Sequence, residues 1–492
     1  MQYDVIIIGG GCSGLTAAIT LAKLGQRVAV VEKDKRLAPL LRGFSRQGVH
    51  FDTGVHYVGG LGSGGVLESY FRFLGIDDVE RKELRPACAN IFKFLDSSRE
   101  IAFPHGADSF VSMLMEEFPE EADGIVSFWE RVEKTAAQSP FLNLQHSLDE
   151  DALIPDLDVP SVADEARRAT ANPYLQTAFS LHALLYGVSP EQARFDAHAY
   201  TLASYVHSAH SFPGGGKVLA DALEKRAREL GCDVYCGKGV ERILVDDGSV
   251  AGVQFTDGNT IHSRQCVYTG HPALLPDLLP EGAVRPQWAK RLKRLEDTAQ
   301  AMVLFAIADH PVELLTDSNV FLCTAPCVEK FFEADEGVIY LAGGEPLPDG
   351  RQAITVVTAA PTEAFSEWQA TSYGNRPDAY HKEKERIGKA IWQRVQDGCP
   401  ELRDGVSLVD VATPLTMQHW VASPTGSLYG VRHCIDQISP MPMTKVKGLG
   451  LAGQSVLLPG VLGAMVSAFV TCGCLVGMKE LHKELRACIR EE

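Results

Sequence analysis

The stretch IIIGGGCSGL, residues 6–15, restricts what this chain can fold into more than any other. It carries the spacing GxGxxG at Gly9, Gly11 and Gly14. Before it, DVIII is a continuous apolar run, the pattern of a strand buried on both faces. After it, SGLTAAITLAKLG repeats apolar residues at helical spacing and stops at Gly25. RVAVVEK then gives a second buried strand that ends on Glu32. Strand, glycine turn, helix and strand make a βαβ unit, whose parallel sheet needs helices on its faces. In such a unit Gly9 permits a tight turn, Gly11 lets a pyrophosphate approach the backbone, and Gly14 lets helix and strand pack closely. The start of the helix, Cys12 and Ser13 included, offers amide donors to phosphates. Glu32, followed by Lys33, is placed to accept hydrogen bonds from a ribose diol. An acid there repels a 2′-phosphate, so NADP is disfavoured, while NAD and FAD both stay open on spacing alone.

At 492 residues the chain exceeds one ordinary core, which predicts two or three lobes or one composite domain built from separated segments. Residues 107–210 read as mainly helical, a lobe or lid broken by the acidic connector DEDALIPDLDVPSVADEA at 149–166. After SFPGGGK comes an amphipathic helix, KVLADALEKRARELG. Short alternating strands then run to TIHSRQCVYTG, with Asp247-Gly248 and Asp257-Gly258 as hairpin turns, which predicts a β-meander. MVLFAIA, GVIYLAG and AITVVTAA predict a second set of strands, interrupted by one long helix over 378–397.

A formal charge of −17 opposes nucleic-acid binding, which needs a cationic surface. It equally disfavours docking on anionic lipid, so any peripheral membrane contact would have to be hydrophobic. The uncharged run from Ser455 to Met478 is long enough to span a bilayer. Pro459, Gly460 and Gly463 nevertheless suit a helix N-terminus, and Lys479 and Lys483 suit the end of a soluble helix, so a buried helix is expected. The start MQYDVIIIGG lacks a basic n-region and a cleavage site, which predicts a cytoplasmic location. Twelve cysteines, including Cys232/Cys236 and Cys323/Cys327, form no CxxC pair with a partner and read as free thiols. No metal site is expected, because the fifteen histidines fall in no ligand spacing.

Four segments occur in an order that carries a resemblance: the glycine fingerprint, SFPGGGKVLADALEKRARELG, the meander start GVERILV, and GLGLAGQSVLLPGVLGAMVSAF. With them the chain resembles the FAD-dependent phytoene desaturase group. GVHFDTGVHYVGG (48–60) and AGQSVLLPGVLGA (452–464) are most similar to its retinol saturase and carotenoid isomerase branch. The resemblance implies an α/β fold with a Rossmann-type FAD-binding domain assembled from 1–80, 208–295 and 440–492. It implies a substrate-binding domain from 81–207 and 296–439, containing a β-sheet and a helical lobe at about 107–207. Val240 would then hold the adenine end through its backbone, and Gly453 and Gln454 would lie near the ribityl-phosphate stretch. The helix starting around Gly460, Val461, Leu462 and Gly463 would aim its N-terminus at the flavin N1 and O2, where reduction places negative charge.

One departure stands out. The family usually carries Gly-Gly six and seven residues after the ribose-binding acid, often followed by Arg. Here those positions are Ala38, Pro39 and Leu40, with Arg42 displaced by two and still counted as a cofactor contact. Phe51-Asp52 and Gly54 stay in register, so this is substitution, and Pro39 has no amide to offer.

No Ser-His-Asp arrangement or GxSxG elbow is present. The resemblance implies hydride transfer at the flavin N5 in a dry apolar slot, with His56 and Tyr57 as the catalytic candidates. His56 could equally bond a carbonyl of its own glycine loop. Asp52 reads as a loop pin acting through backbone amides, and His50 as solvent-facing. TPLTMQHWVASPTGSLYG (413–430) is a second candidate surface, where His419 and Trp420 would line the slot, or Trp420 would be core. His271 reads as structural, and the helix bearing Tyr200 and Tyr205 as core. The implied activity is that of a desaturase, saturase or isomerase on the carbon–carbon double bonds of a long isoprenoid, carotenoid or retinoid-like substrate. The alternatives are a flavin amine oxidase-like enzyme on a smaller polar substrate, with an aromatic cage and a compact pocket, or a flavoprotein that isomerises or carries its ligand without net redox change. Oligomeric state and electron partner stay open.

Overall fold

The computed structural model describes residues 2–148, 158–326 and 328–489. Residues 149–157 of the acidic connector and Cys327 lie outside the described residues. Five strands form a parallel sheet in the order Asp233–Cys236, Val28–Glu32, Val5–Ile8, Gln265–Tyr268, Leu449–Leu451. They come from widely separated parts of the chain, so this Rossmann-type unit is discontinuous. Val5–Ile8 and Val28–Glu32 are buried at every position, as their unbroken apolar pattern requires. Val5, Ile7, Val28 and Val30 pack with the helices Cys12–Lys23, Gly216–Glu229 and Gly460–Val476. Ile6, Ile8, Ala29 and Val31 pack on the other side, against a small antiparallel sheet.

That antiparallel sheet holds Val240–Asp246, Ser249–Phe255 and Thr260–His262, turning at Asp247-Gly248 with φ of 43° and 71°. The expected meander therefore stops one strand early. Gln265–Tyr268 leaves it and pairs in parallel with Val5–Ile8, because three of its four residues are buried without alternation.

The helix Gly460–Val476 lacks charge because residues 463–473 are all buried. It packs on Cys12–Lys23, where Ser13 Oγ donates to Ala464 O at 2.9 Å. No helix among the described residues is long and apolar enough to cross a membrane.

Seven strands build a second, mostly antiparallel sheet in the order Val406–Ala412, Ala301–Ala308, Gln352–Ala359, Ile339–Gly343, Asn319–Cys323, Asn90–Phe94, Arg99–Phe103. Ala301–Ala308 is buried throughout and serves two cores by alternation. Met302, Leu304 and Ala306 pack with Ile387, Ile391 and Val395 of the long helix Asp378–Gly398. Val303, Phe305 and Ile307 belong to the core of the helical lobe, with Phe110, Phe128 and Phe179. The lobe comprises Ala107–Glu117, Ala122–Ala136, Val162–Ala169, Pro173–Ser180 and Phe195–His207.

Candidate functional site

The glycine turn is built by backbone contacts. Gly9 has a φ of 107°, which favours glycine, and its N–H donates to Val31 O at 2.8 Å. A Cβ on Gly14 would run into the Gly9 carbonyl oxygen, whereas one on Gly11 would meet nothing within 4 Å. Helix and strand therefore touch at Gly14, and the backbone at Gly11 faces open space. Cys12–Lys23 starts at Gly11 with no side-chain cap, which leaves its first amides to an anion. Glu32 is buried and accepts from Gly10 N at 2.7 Å and Asp34 N at 3.0 Å. Burial raises its pKa, and the two amides oppose that shift.

The C-terminal segment repeats the device. Gly460–Val476 starts uncapped behind Pro459, and Gly460, at φ 80°, also faces open space. Gly453 (φ 118°) donates its N–H to Ser467 Oγ at 3.0 Å, and Gln454 O lies 2.8 Å from His433 Nε2.

These segments open onto one cavity of about 600 Å³. It is lined by Gly9, Gly11, Cys12, Ser13, Glu32, Lys33, Val240, Gly453, Gln454, Gly460, Val461, Leu462 and Gly463, and by His56 and Tyr57. Gly14 sits behind the turn, outside the lining. Arg42 is also outside it, which corrects the cofactor contact expected of it. Its Nε donates to Leu37 O at 2.7 Å, and its guanidinium binds Asp221 and, at 2.6 Å, Glu224. A buried cation needs such carboxylates, and here they come from the helix Gly216–Glu229. The departing stretch makes this possible. Ala38, at φ 50°, donates to Gly10 O at 2.9 Å, and Pro39 opens the short helix Pro39–Arg42, where a missing amide costs little.

GVHFDTGVHYVGG and SFPGGGK are two halves of one clasp. Asp52 Oδ1 accepts from Gly216 N at 2.8 Å, where the helix Gly216–Glu229 begins. Gly215, at φ 78°, has no room for a side chain beside that carboxylate. Asp52 thus pins its loop through an amide 164 positions away. His50 is one-third exposed and 3.6 Å from Asp52, so it does not simply face solvent.

Beyond the pin, the loop enters the cavity. Tyr57 is 6% exposed, and among the described residues its hydroxyl has no hydrogen-bond partner. Its ring lies 4.7 Å from Tyr205 and stacks at 6.2 Å on Tyr340. Burial holds its pKa well above the usual phenol value, aided by Tyr205, Tyr340 and Tyr429. The His56 ring is 5.8 Å from Tyr340, and burial lowers its pKa against a smaller opposing effect of Asp52. At neutral pH His56 is therefore an uncharged imidazole and Tyr57 an intact hydroxyl.

Other tyrosines around this chamber went unnoticed in the sequence or read as core. The helix Phe195–His207 buries Leu202 and Val206 while Tyr200, Thr201, Ser204 and Tyr205 line the cavity. Hydroxyls at i, i+1, i+4 and i+5 make a polar stripe that could have revealed this face. Tyr340 donates to Asn319 Oδ1 at 3.0 Å, and Tyr186 Oη is 2.8 Å from His198 Nδ1. Trp420 lines the cavity and is 44% exposed, so it stands at the mouth and is not core. His419 is outside the lining, stacked on Tyr373 at 4.3 Å. His271 lines the cavity and ties Asp297 Oδ1 at 2.9 Å, while its Nδ1 accepts from Ala273 N at 3.2 Å. The acidic and basic liners other than histidine, Glu32, Lys33, Asp34 and Lys238, all belong to the dinucleotide end. Among the described residues no cluster could hold a metal ion.

An open glycine cradle, two uncapped helix starts and a buried acid at the end of the second strand fit FAD and define an FAD-dependent oxidoreductase. The chain belongs to the flavin containing amine oxidoreductase family, which matches residues 12–469, and its cofactor is FAD. It is 26% identical to a Danio rerio all-trans-retinol 13,14-reductase, over 98% of this chain and 87% of that one. It is 24% identical to a Daucus carota chloroplastic prolycopene isomerase, over 94% of this chain and 75% of the relative. Among solved structures, a Methanosarcina mazei oxidoreductase superposes with a TM-score of 0.68 at 14% identity, covering 96% and 99% of the two chains. Cyclohexylamine oxidase from Brevibacterium oxydans gives 0.56 at 16% identity, covering 96% and 100%. These structural likenesses show the fold.

Proposed function

We propose that the chain acts on the carbon–carbon double bonds of a long apolar isoprenoid, carotenoid or retinoid-like molecule, as a saturase, desaturase or isomerase. The observation that carries this is a chamber that, among the described residues, has no ionised side chain and is continuous with the dinucleotide cavity. Val303, Val357, Met417 and Leu428 give it aliphatic walls, which exclude water and align an apolar chain. The relatives named for retinol reduction and for prolycopene isomerisation support the same substrate class. FAD, when bound, supplies hydride exchange at its N5 atom. Residues 1–80, 208–295 and 440–492 would hold it, and 81–207 and 296–439 would form most of the chamber. Tyr57 keeps its proton and lacks a partner among the described residues, so its hydroxyl is the group placed to give a proton to a substrate carbon. Neutral His56 beside it can bond a substrate oxygen or orient that hydroxyl.

One observation favours a second reading. Tyr57, Tyr205, Tyr340 and Tyr429 make an aromatic enclosure, and such faces attract ammonium groups. Among the described residues the chamber supplies no carboxylate to pair with an amine, which weighs for the polyene. Anaerobic mixing separates the two. A polyene should react with the reduced enzyme and amines should leave the oxidised flavin unchanged; flavin bleaching by amines, with polyenes inert, would reverse the assignment. Product mass then sorts saturation, which adds two hydrogens, from isomerisation, which adds none.

A further inference from the structure

A net charge of −17 hides a local reversal of sign. Residues 282–295 hold five basic side chains, between Arg285 and Arg294, and no acidic one. They lie on and around the helix Pro286–Lys293, which buries Leu292 and rests Trp288 on the core beneath. Arg285, Lys290, Arg291, Lys293 and Arg294 are all exposed. Arg291 reaches across to Ile438 O at 3.5 Å and Ser439 O at 3.4 Å, so a second segment borders the basic helix.

That second segment is apolar where it meets solvent. Ile435, Ile438 and Met441 are 42%, 60% and 56% exposed. They are three of the six large hydrophobic side chains exposed among the described residues, gathered within seven positions. The loop is also held in shape: Gln437 accepts from Glu296 N at 2.8 Å and donates to Glu296 O at 3.0 Å. Of the acids nearby, Glu296 and Asp436 pair with Arg432 and Asp277 pairs with Lys293, while the exposed Glu281 stands at the start of the basic segment. Arg285, Lys290, Arg291 and Arg294 make no ion pair among the described residues.

We propose that this surface docks the protein on anionic lipid bilayers, with Ile438 and Met441 entering the headgroup boundary and the basic helix lying over the phosphates. A basic patch alone would suit an acidic soluble protein. Large apolar side chains held outward beside it suit a lipid surface, which takes both the charge and the hydrocarbon. The whole-chain charge argued against electrostatic membrane docking, but attraction to lipid acts within a Debye length and depends on the charges facing the bilayer. The docking surface is wired to the chamber. Asp297, next to Glu296, accepts from Thr425 Oγ1 at 2.5 Å, and Gln300 Nε2 donates to Thr425 O at 2.6 Å, in the loop that follows the helix Pro414–Val421 and its mouth residue Trp420. An apolar substrate dissolved in a bilayer would then be met by a protein already seated there, although the docking itself does not depend on which substrate is used.

The test is co-sedimentation of the FAD-loaded full chain with phosphatidylcholine vesicles, with and without phosphatidylserine, at low and high salt. Binding should require phosphatidylserine and weaken with salt. K290E/R294E and I438D/M441D should each weaken it by roughly tenfold or more, while FAD content and turnover of detergent-dispersed substrate stay unchanged. No enrichment on phosphatidylserine vesicles, or equal binding by both variants and the parent chain, would overturn the proposal. So would retention on an acidic protein matrix that K290E/R294E loses and I438D/M441D keeps, with no vesicle binding.

Discussion

The two ends of the cavity are made of different material. The dinucleotide end is backbone: Gly9, Gly11, Gly453 and Gly460, with the starts of two uncapped helices. The chamber end is side chain: Tyr57, Tyr205, Tyr340 and Tyr429, brought together from four separate segments. Backbone geometry tolerates few substitutions: Gly9, Gly453 and Gly460 hold positive φ values that strain any side chain, and a Cβ on Gly9 would also run into the Thr269 hydroxyl. A wall of rings tolerates many, and it can be retuned for another substrate while the cofactor end stays fixed.

That contrast breaks most visibly at Gly14. Gly14→Val should cost FAD affinity about 100-fold or more, through about 3 kcal/mol of overpacking against Gly9 O, read as flavin retained after gel filtration. Tyr57→Phe should leave FAD binding intact and lower turnover by roughly 10- to 100-fold; unchanged turnover would make Tyr57 only a wall. Arg42→Gln sharpens the boundary between the ends. It should cost about 2 kcal/mol of stability in denaturant melts, by unpairing Asp221 and Glu224, with the FAD Kd unchanged. A large rise in Kd would return Arg42 to the cofactor.

Two smaller effects test the chamber's supports. Asp52→Asn should lower stability by about 1 kcal/mol, as loss of a charged acceptor at a helix start does. His182 and His198 are buried, with pKa values held down to about 3 and about 4, mainly by desolvation. The folded chain keeps both neutral while the unfolded chain protonates them below about pH 6.5. Their contribution is therefore complete above that pH and lost as pH falls toward 4, about 1 kcal/mol each by pH 5.5. Thermal melts at pH 7.5 and 5.5 should show the lower midpoint in acid, with the gap narrowed in a His198→Gln chain.

The backbone-built end was legible because its physics is local. GxGxxG between a buried strand and a helix, with Glu32 closing the next strand, needs no distant partner to be recognised. Asp52 could be read as a pin, but not that Gly216 receives it, since nothing local links positions 164 apart. Arg42 misled for the same reason: spacing from Glu32 placed it near the cofactor, and only the fold shows the carboxylates of Asp221 and Glu224 claiming it. Tyr340 was invisible within GVIYLAG, where every strand position is apolar enough for core. Tyr200 and Tyr205 read as core because aromatics on an apolar helix look like packing until Thr201 and Ser204 are counted with them; Tyr205 does pack on the lobe core, and both tyrosines also line the cavity. Net charge is silent about local patches, because summing over 492 residues hides the five basic side chains between Arg285 and Arg294.

The most direct test is an anaerobic one. The FAD-loaded enzyme, chemically reduced, is mixed with a conjugated retinoid-class polyene while its absorbance and the product's mass are followed. Conversion of the polyene, to a product two hydrogens heavier with recovery of the oxidised-flavin band or to an isomer of equal mass without it, is the expected result. A polyene that stays unchanged, together with bleaching of the oxidised enzyme by primary amines, would contradict the assignment of the chamber to carbon–carbon double bonds.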